Sequence, residues 1–417
     1  MLFITVFLDG VQQGYYFTFA SILALQIFFE LGLGQVVVQI VAHEAACLRL
    51  SGEGKYVGEK EHLARLTLLR VQLSRWYLPA ALVFAMLVGV AGLTFFRNGG
   101  LQWSMWGPAW LILVSATAIN LYYSWKLAMI EGFALIGDIA KLRLLQSVAG
   151  YVLMWCGLIA GLGLYVVISI PIVAAVATTL WLRGNIAKAV FGIFSETLPS
   201  KPISWRQDIF PFQWRIAVSW ISGYFIFQLF TPLMFKQFGA AEAGRLGLAM
   251  TMFGAIGAVG LSWVNARAPT LSMLIARKEF TELNRQFKSV TVRSLLVTIF
   301  LSMVVILTVW VGTKCGFPVA DRIAGLPVLL CIATVTVANC IVFSSAIYMR
   351  AHREEPMLAV SVACGILTAI LAWYGSRHGA LVMMLCYTGV TTFIALPWTL
   401  HILRTYFARN RWNIKAP

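Results

Sequence analysis

Charge is what this chain has least of. Only 12% of its 417 residues are Asp, Glu, Lys or Arg, about half the share of a water-soluble domain. With 60% apolar residues and a mean hydropathy of +0.82, there are too few polar side chains to cover a core of this length in water. Acids are scarcest, 16 against 32 bases. The bases form no basic domain and are not interleaved with a stacking aromatic signature, so a nucleic-acid partner is excluded. Cysteine is sparse too: seven residues, no CxxC, five of them within apolar stretches, which excludes a disulfide framework and a zinc site. His43-Glu44-Ala45-Ala46-Cys47 starts like a zinc-protease HExxH but ends in cysteine. No P-loop is present, so the chain carries no ATP drive of its own. Met1–Leu8 is apolar but lacks the basic region and cleavage motif of a signal peptide.

What is abundant is apolar runs of membrane-spanning length. Eleven qualify, at approximately 15–41, 77–96, 108–130, 145–163, 165–183, 210–236, 245–266, 294–313, 325–349, 357–374 and 380–403. They do not alternate apolar with polar, so an outer-membrane barrel is rejected. The expected fold class is all-α integral membrane. Lys and Arg divide unevenly between the two sides: 24 on the side reached after the first span, six on the other, with Lys126 and Arg215 inside spans. The positive-inside rule makes the rich side cytoplasmic and places the C-terminus there. On that side, residues 59–75 suit an amphipathic helix lying on the inner leaflet. The loops on the other side are short, the longest being about 97–107 with one arginine.

Two long basic stretches, Arg49 to Arg75 and Arg267 to Arg293, each follow a span and precede another. Aligning them pairs the spans five against five and leaves 210–236 without a partner. The expectation is two parallel-repeat lobes of six helices, with the first helix of the first lobe represented only by the stub Met1–Leu8. The lobes would be 1–190 (helices two to six plus the stub) and 210–417 (helices seven to twelve), joined by a cytoplasmic linker at 191–209. A genuine eleven-span chain is the alternative.

Ionisable residues inside a membrane are costly and mark functional positions. Glu30 is the foremost, with Gln26 a turn before it and Gly34 a turn after it. Two readings stand: a coupling-ion or proton site, or a structural pair between helices. Arg215 continues into Ser219 and Ser222 at helical spacing, a polar stripe whose guanidinium suits phosphate, or an arginine that snorkels to the interface. Lys126, after Tyr122 and Tyr123, admits the same two readings. Asn120, with Thr117 and Ser124, is cavity wall or interhelical glue; Asn339 with Thr336 is a weaker case of the same kind. Pro232 and Pro397 fall inside spans, and Gly254, Gly257 and Gly260 form a small-residue seam.

Several short motifs carry a resemblance. Gly14-Tyr15-Tyr16-Phe17 followed by Phe29-Glu30-Leu31-Gly32-Leu33 resembles the second helix of O-antigen and polysaccharide flippases, within the multidrug/oligosaccharidyl-lipid/polysaccharide exporter superfamily. Ala243-Gly244-Arg245-Leu246-Gly247-Leu248-Ala249 is similar to the start of helix eight, and Ile130-Glu131-Gly132 to the end of helix four. The resemblance implies a non-enzymatic flippase that moves polyprenyl-pyrophosphate-linked oligosaccharide across a bacterial inner membrane by alternating access. Arg215 and Lys126 would be the cavity cations for the pyrophosphate, Glu30 the cavity carboxylate, and Gln26, Asn120, Ser219 and Ser222 polar lining. No cofactor is implied beyond coupling to H+ or Na+. The implied partners are the lipid-linked oligosaccharide, membrane lipids and polysaccharide-assembly proteins. A cation-coupled exporter of small amphipathic molecules, a membrane polysaccharide polymerase and a non-transporting membrane subunit are the alternatives.

Overall fold

The computed structural model describes residues 2–51, 56–192, 203–352 and 356–415. Lys55, Lys201 and Arg353 of the charge split, and most of the 191–209 linker, lie outside the described residues. In chain order the elements are α1 (Leu2–Phe7), α2 (Gly10–Leu23), α3 (Ile27–Glu30) and α4 (Leu33–Ala45), then a small antiparallel pair, β1 (Leu48–Leu50) with β2 (Tyr56–Gly58). Next come α5 (Lys60–Phe96), α6 (Trp103–Gly132), α7 (Ile136–Ile159), α8 (Ser169–Trp181), α9 (Asn185–Phe191), α10 (Phe210–Phe227) and α11 (Phe230–Phe238). The rest is α12 (Ala240–Ala276), α13 (Phe280–Lys314), α14 (Leu326–Ala351), α15 (Leu358–Ser376), α16 (Ala380–Val390) and α17 (Leu396–Lys415). Among the described residues ten helices are long and apolar enough to cross a membrane, and the bent pair Gly10–Glu30 and Leu33–Ala45 makes an eleventh. The protein is an all-α, multi-pass membrane protein.

The helices differ from the apolar runs in instructive ways. The basic stretch 59–75 is not a separate helix on the leaflet surface; it runs on without a break into the following span as α5, 37 residues long. Ala, Leu and Arg favour helix, and no glycine interrupts them before Pro79. At 1.5 Å per residue α5 is about 55 Å long, well beyond the hydrocarbon core. The two prolines act as helix-breakers. Pro232 has no N–H for the carbonyl four residues earlier, and the 210–236 run divides there into α10 and α11. Pro397 does the same in the last run, where a π-turn over Thr391–Ala395 leaves Phe393 82% exposed.

The helices gather into two compact units, Phe19–Ile221 and Ser222–Pro417 together with Met1–Thr18. In the unit Phe19–Ile221, α6 is the central helix, packed by α4, α5 and α8. Its fully buried Trp110 stacks on Phe19 and Phe96 at 5.0 and 5.3 Å and donates Nε1–H to the Gly89 carbonyl at 3.1 Å. A Cβ on Gly92 would strike that indole. On the arginine-rich side, buried Glu44 at the end of α4 accepts from Arg65 at 2.8 Å and pairs with His62 at 2.7 Å on α5. Glu44 is therefore a structural tether between α4 and α5, and among the described residues no His, Cys, Asp and Glu gather as metal ligands.

In the other unit α12, α13 and α14 pack as a three-helix layer. The seam expected at Gly254, Gly257 and Gly260 is tight only at Gly260, which lies under Thr298 and receives a 2.6 Å hydrogen bond from Ser294; Gly254 faces open space. The two helix-start motifs, at Gly14 and Gly244, meet in this unit. A Cβ on Gly14 would collide with the Ala240 carbonyl, and one on Gly244 would lie 2.7 Å from the Gly14 nitrogen. Buried Gln13 bridges the crossing, donating Nε2–H to the carbonyls of Gly244 at 2.9 Å and Arg322 at 3.0 Å.

Candidate functional site

The expected single span at 15–41 is broken at its most informative point. Helix winds tightly over Ala24–Gln26, relaxes over Ile27–Glu30, and stops. Leu31 (φ +50°) and Gly32 (φ +67°) are both left-handed, and α4 leaves at 45° to the preceding segment. A β-carbon on Gly32 would drive into the Ile216 side chain of α10, so glycine is required by contact as well as by φ. Leu31 has no such freedom and holds a conformation that L residues avoid. Within lipid, non-helical backbone survives only where protein or a polar cavity shields it. Such breaks are characteristic of membrane sites that bind and release ions or substrates.

Glu30 sits on the N-terminal lip of this break. The half-buried carboxylate folds over Gly34, where a Cβ would come within 3.0 Å of its Oε1. Glu30 and Gly34 thus remain neighbours, but across the break and not along one continuous helix. The carboxylate lies in electrostatic range of Arg143 on α7 and of the Tyr77 hydroxyl on α5. Tyr77 is fully buried, beside Ser124 of α6, and its hydroxyl forms no well-aligned hydrogen bond. The break thus carries one acid, with the Tyr77 hydroxyl and Ser124 nearby, supplied by α3, α5 and α6.

The candidate residues are not all brought here. Gln26 ends the tight 3-10 turn, half-buried. Arg215 is exposed and stacks beside the Trp214 ring at 5.6 Å; its neighbour Ile216 is the side chain packed on Gly32. Ser219 is half-buried on the same helix. Ser222 is packed against Gly365 of α15, whose added Cβ would sit 3.1 Å from the serine Cβ; this is close helix packing, not cavity lining. Asn120 is interhelical glue: Nδ2–H reaches the Pro171 carbonyl of α8 at 2.9 Å. Asn339 reaches the Tyr387 hydroxyl at 3.4 Å.

Lys126 lies elsewhere in the same unit. With Arg70, Ser74, Arg75, Tyr122 and Trp125 it lines a cavity of about 600 Å³ toward the arginine-rich end of α5 and α6. Its ammonium is 5.0 and 5.1 Å from the rings of Tyr122 and Tyr123. In the sequence Arg70 and Arg75 are only topology charges, and Trp125 only a spanning aromatic. Nothing in spacing alone shows that they converge.

These features belong to a known architecture. No protein-family profile and no curated protein matches the chain, but solved structures do. An inward-facing MATE-family multidrug resistance transporter of the MOP superfamily superposes with a TM-score of 0.63 at 12% identity, over 96% of this chain and 94% of that one. The chain has the MOP-superfamily transporter fold. The lipid II flippase MurJ, in an inward closed conformation, superposes at 0.64 with 13% identity, over 98% of this chain and 88% of that one. A MOP-superfamily transporter from Pyrococcus furiosus gives 0.59 at 14%, over 98% and 92%. The likeness to MOP-superfamily structures supports the superfamily that the sequence resemblance named, at the level of the fold.

Proposed function

We propose that this chain is an alternating-access transporter of the bacterial inner membrane that moves a polyprenyl-pyrophosphate-linked oligosaccharide from the inner to the outer leaflet during polysaccharide assembly (O-antigen, capsule or exopolysaccharide). The observation that carries the transport reading is the break at Glu30–Gly32: a helix interrupted within lipid, with a carboxylate at the interruption and a buried tyrosine hydroxyl in its electrostatic range. The substrate class draws support from the fold it shares with MurJ and from Arg215, an exposed cation next to the residue that packs on the break. On this reading Arg215 meets the pyrophosphate, Glu30 exchanges H+ or Na+, the halves 1–190 and 210–417 are the functional repeats, and the C-terminus is cytoplasmic. The chain carries out no covalent step.

The test is translocation of fluorescent polyprenyl-pyrophosphate sugar in proteoliposomes. Transport above the protein-free rate that falls with Glu30→Gln supports the reading, and no transport over the protein-free rate refutes it. One second reading has an observation behind it. A carboxylate at the break also suits cation-coupled export of small amphipathic cations, and the MATE neighbour is a multidrug resistance transporter. Glu30-dependent efflux of such a dye, with no movement of the lipid-linked sugar, would select it.

A further inference from the structure

The cavity around Lys126 is not explained by the break at Glu30. Its charged lining is Arg70, Arg75 and Lys126, with no acid. One of the cations is committed: Arg70 donates to the carbonyl of Phe191, at the C-terminus of α9. Arg75 is exposed and Lys126 half-buried, and neither forms a carboxylate pair among the described residues. Like charges sharing one partly desolvated space raise each other's free energy until an anion enters. A second observation concerns the cavity wall: Trp125 lines it, is only 3% exposed, and holds the Lys126 ammonium 5.6 Å from its ring.

The cavity does not end in protein. At Tyr122 it adjoins a groove of about 470 Å³ between α5, α6 and α8, lined largely by apolar side chains. Leu78, Leu82, Ile119, Val176 and Leu180 on its walls are 46–63% exposed. On α5, residues 71, 75, 78, 82 and 85 share one face at helical spacing, whereas Tyr77 beside Glu30 points about 100° away from Leu78. The groove therefore opens along its length to the surrounding hydrocarbon, and a chain from the bilayer fills it with no opening step. Its cationic end lies toward the arginine-rich side of the protein, where an anionic leaflet is expected.

We infer that this cavity and groove form a binding site for one anionic membrane phospholipid, with its phosphate between Lys126 and Arg75 and one acyl chain along α5, α6 and α8. The assignment removes Lys126 from the translocation site and does not depend on what the protein transports.

The experiment is lipid retention and competition on the full chain. Protein purified in mild detergent is titrated with phosphatidylglycerol, phosphatidylcholine or soluble glycerol phosphate, and bound lipid per chain is read by native mass spectrometry. One phosphatidylglycerol is expected to remain bound at concentrations where phosphatidylcholine and glycerol phosphate do not. Arg75→Gln with Lys126→Gln should weaken retention at least about tenfold, and Val176→Trp, which fills the groove, should weaken it without removing a charge. Equal retention of the two phospholipids, or displacement by glycerol phosphate at equal concentration, overturns the proposal. Should the double variant fail to fold, the wild-type competition and Val176→Trp decide it alone.

Discussion

Gly244→Ala tests how closely the two helix-start motifs depend on each other. The new methyl carbon would lie 2.7 Å from the Gly14 nitrogen and 3.1 Å from both the Gly10 carbonyl oxygen and the Gly14 Cα, all backbone atoms that cannot swing aside. Ordinary van der Waals contact begins near 3.4 Å, so α2 and α12 must separate by about 0.7 Å, the shortfall at the nitrogen. Gln13 on α2 spans that same gap with a 2.9 Å bond to the Gly244 carbonyl. Stretched by that amount, it passes out of hydrogen-bond range. Overpacking costs about 1–3 kcal/mol and the weakened bond about 0.5–1.5 kcal/mol, so the variant should lose roughly 1.5–4.5 kcal/mol. The assay is thermal unfolding in detergent, where a drop of about 3 °C or more is expected. Gly254→Ala, on the same helix with nothing within 4 Å of the added carbon, is the control and should be close to neutral. Equal melting of wild type and Gly244→Ala, or an equal loss in Gly254→Ala, would refute the reasoning.

Glu30→Gln should abolish substrate-dependent transport in proteoliposomes while leaving the melting temperature within about 2 °C, because a half-buried amide replaces the carboxylate without a volume change. Glu44→Ala should destabilise by about 3 kcal/mol in the same melt, since it strands Arg65 and His62 at the α4–α5 tether. Gly32→Ala should impair folding or transport more than any neighbouring alanine substitution, because it adds backbone strain to a collision with Ile216; normal yield and normal transport would contradict this.

Composition and charge made the membrane architecture legible. Apolar runs of about 20 residues and a lopsided Lys/Arg distribution are one-dimensional properties, imposed by the bilayer before any helix packs. Glu30 stood out as a candidate because an acid in such a run is costly and needs either a function or a structural partner. Its surroundings were not legible. Glu30-Leu31-Gly32-Leu33 reads as continuous helix by hydropathy, and the contact that requires glycine at position 32 comes from Ile216, about 180 residues away. Tyr77 and Trp125 look like ordinary aromatics of a span until their polar atoms are found buried, that of Trp125 with no partner among the described residues. Ser222 and Asn120 are the other kind of case: pattern leaves Asn120 open between cavity wall and interhelical glue, and it bonds the Pro171 carbonyl, while Ser222 of the expected polar stripe packs against Gly365.

Leu31 carries a consequence of its own. A leucine at φ +50° costs about 1–2 kcal/mol relative to right-handed helix, and the bend is held against that cost by its neighbours, chiefly Ile216 on Gly32 and Phe84 against Phe29 at 5.4 Å. The contacts of Ile216 and Phe84 therefore set the direction of α4 relative to the segment that carries Glu30. The strain they hold corresponds to a population ratio of roughly five to thirty between bent and unstrained backbone.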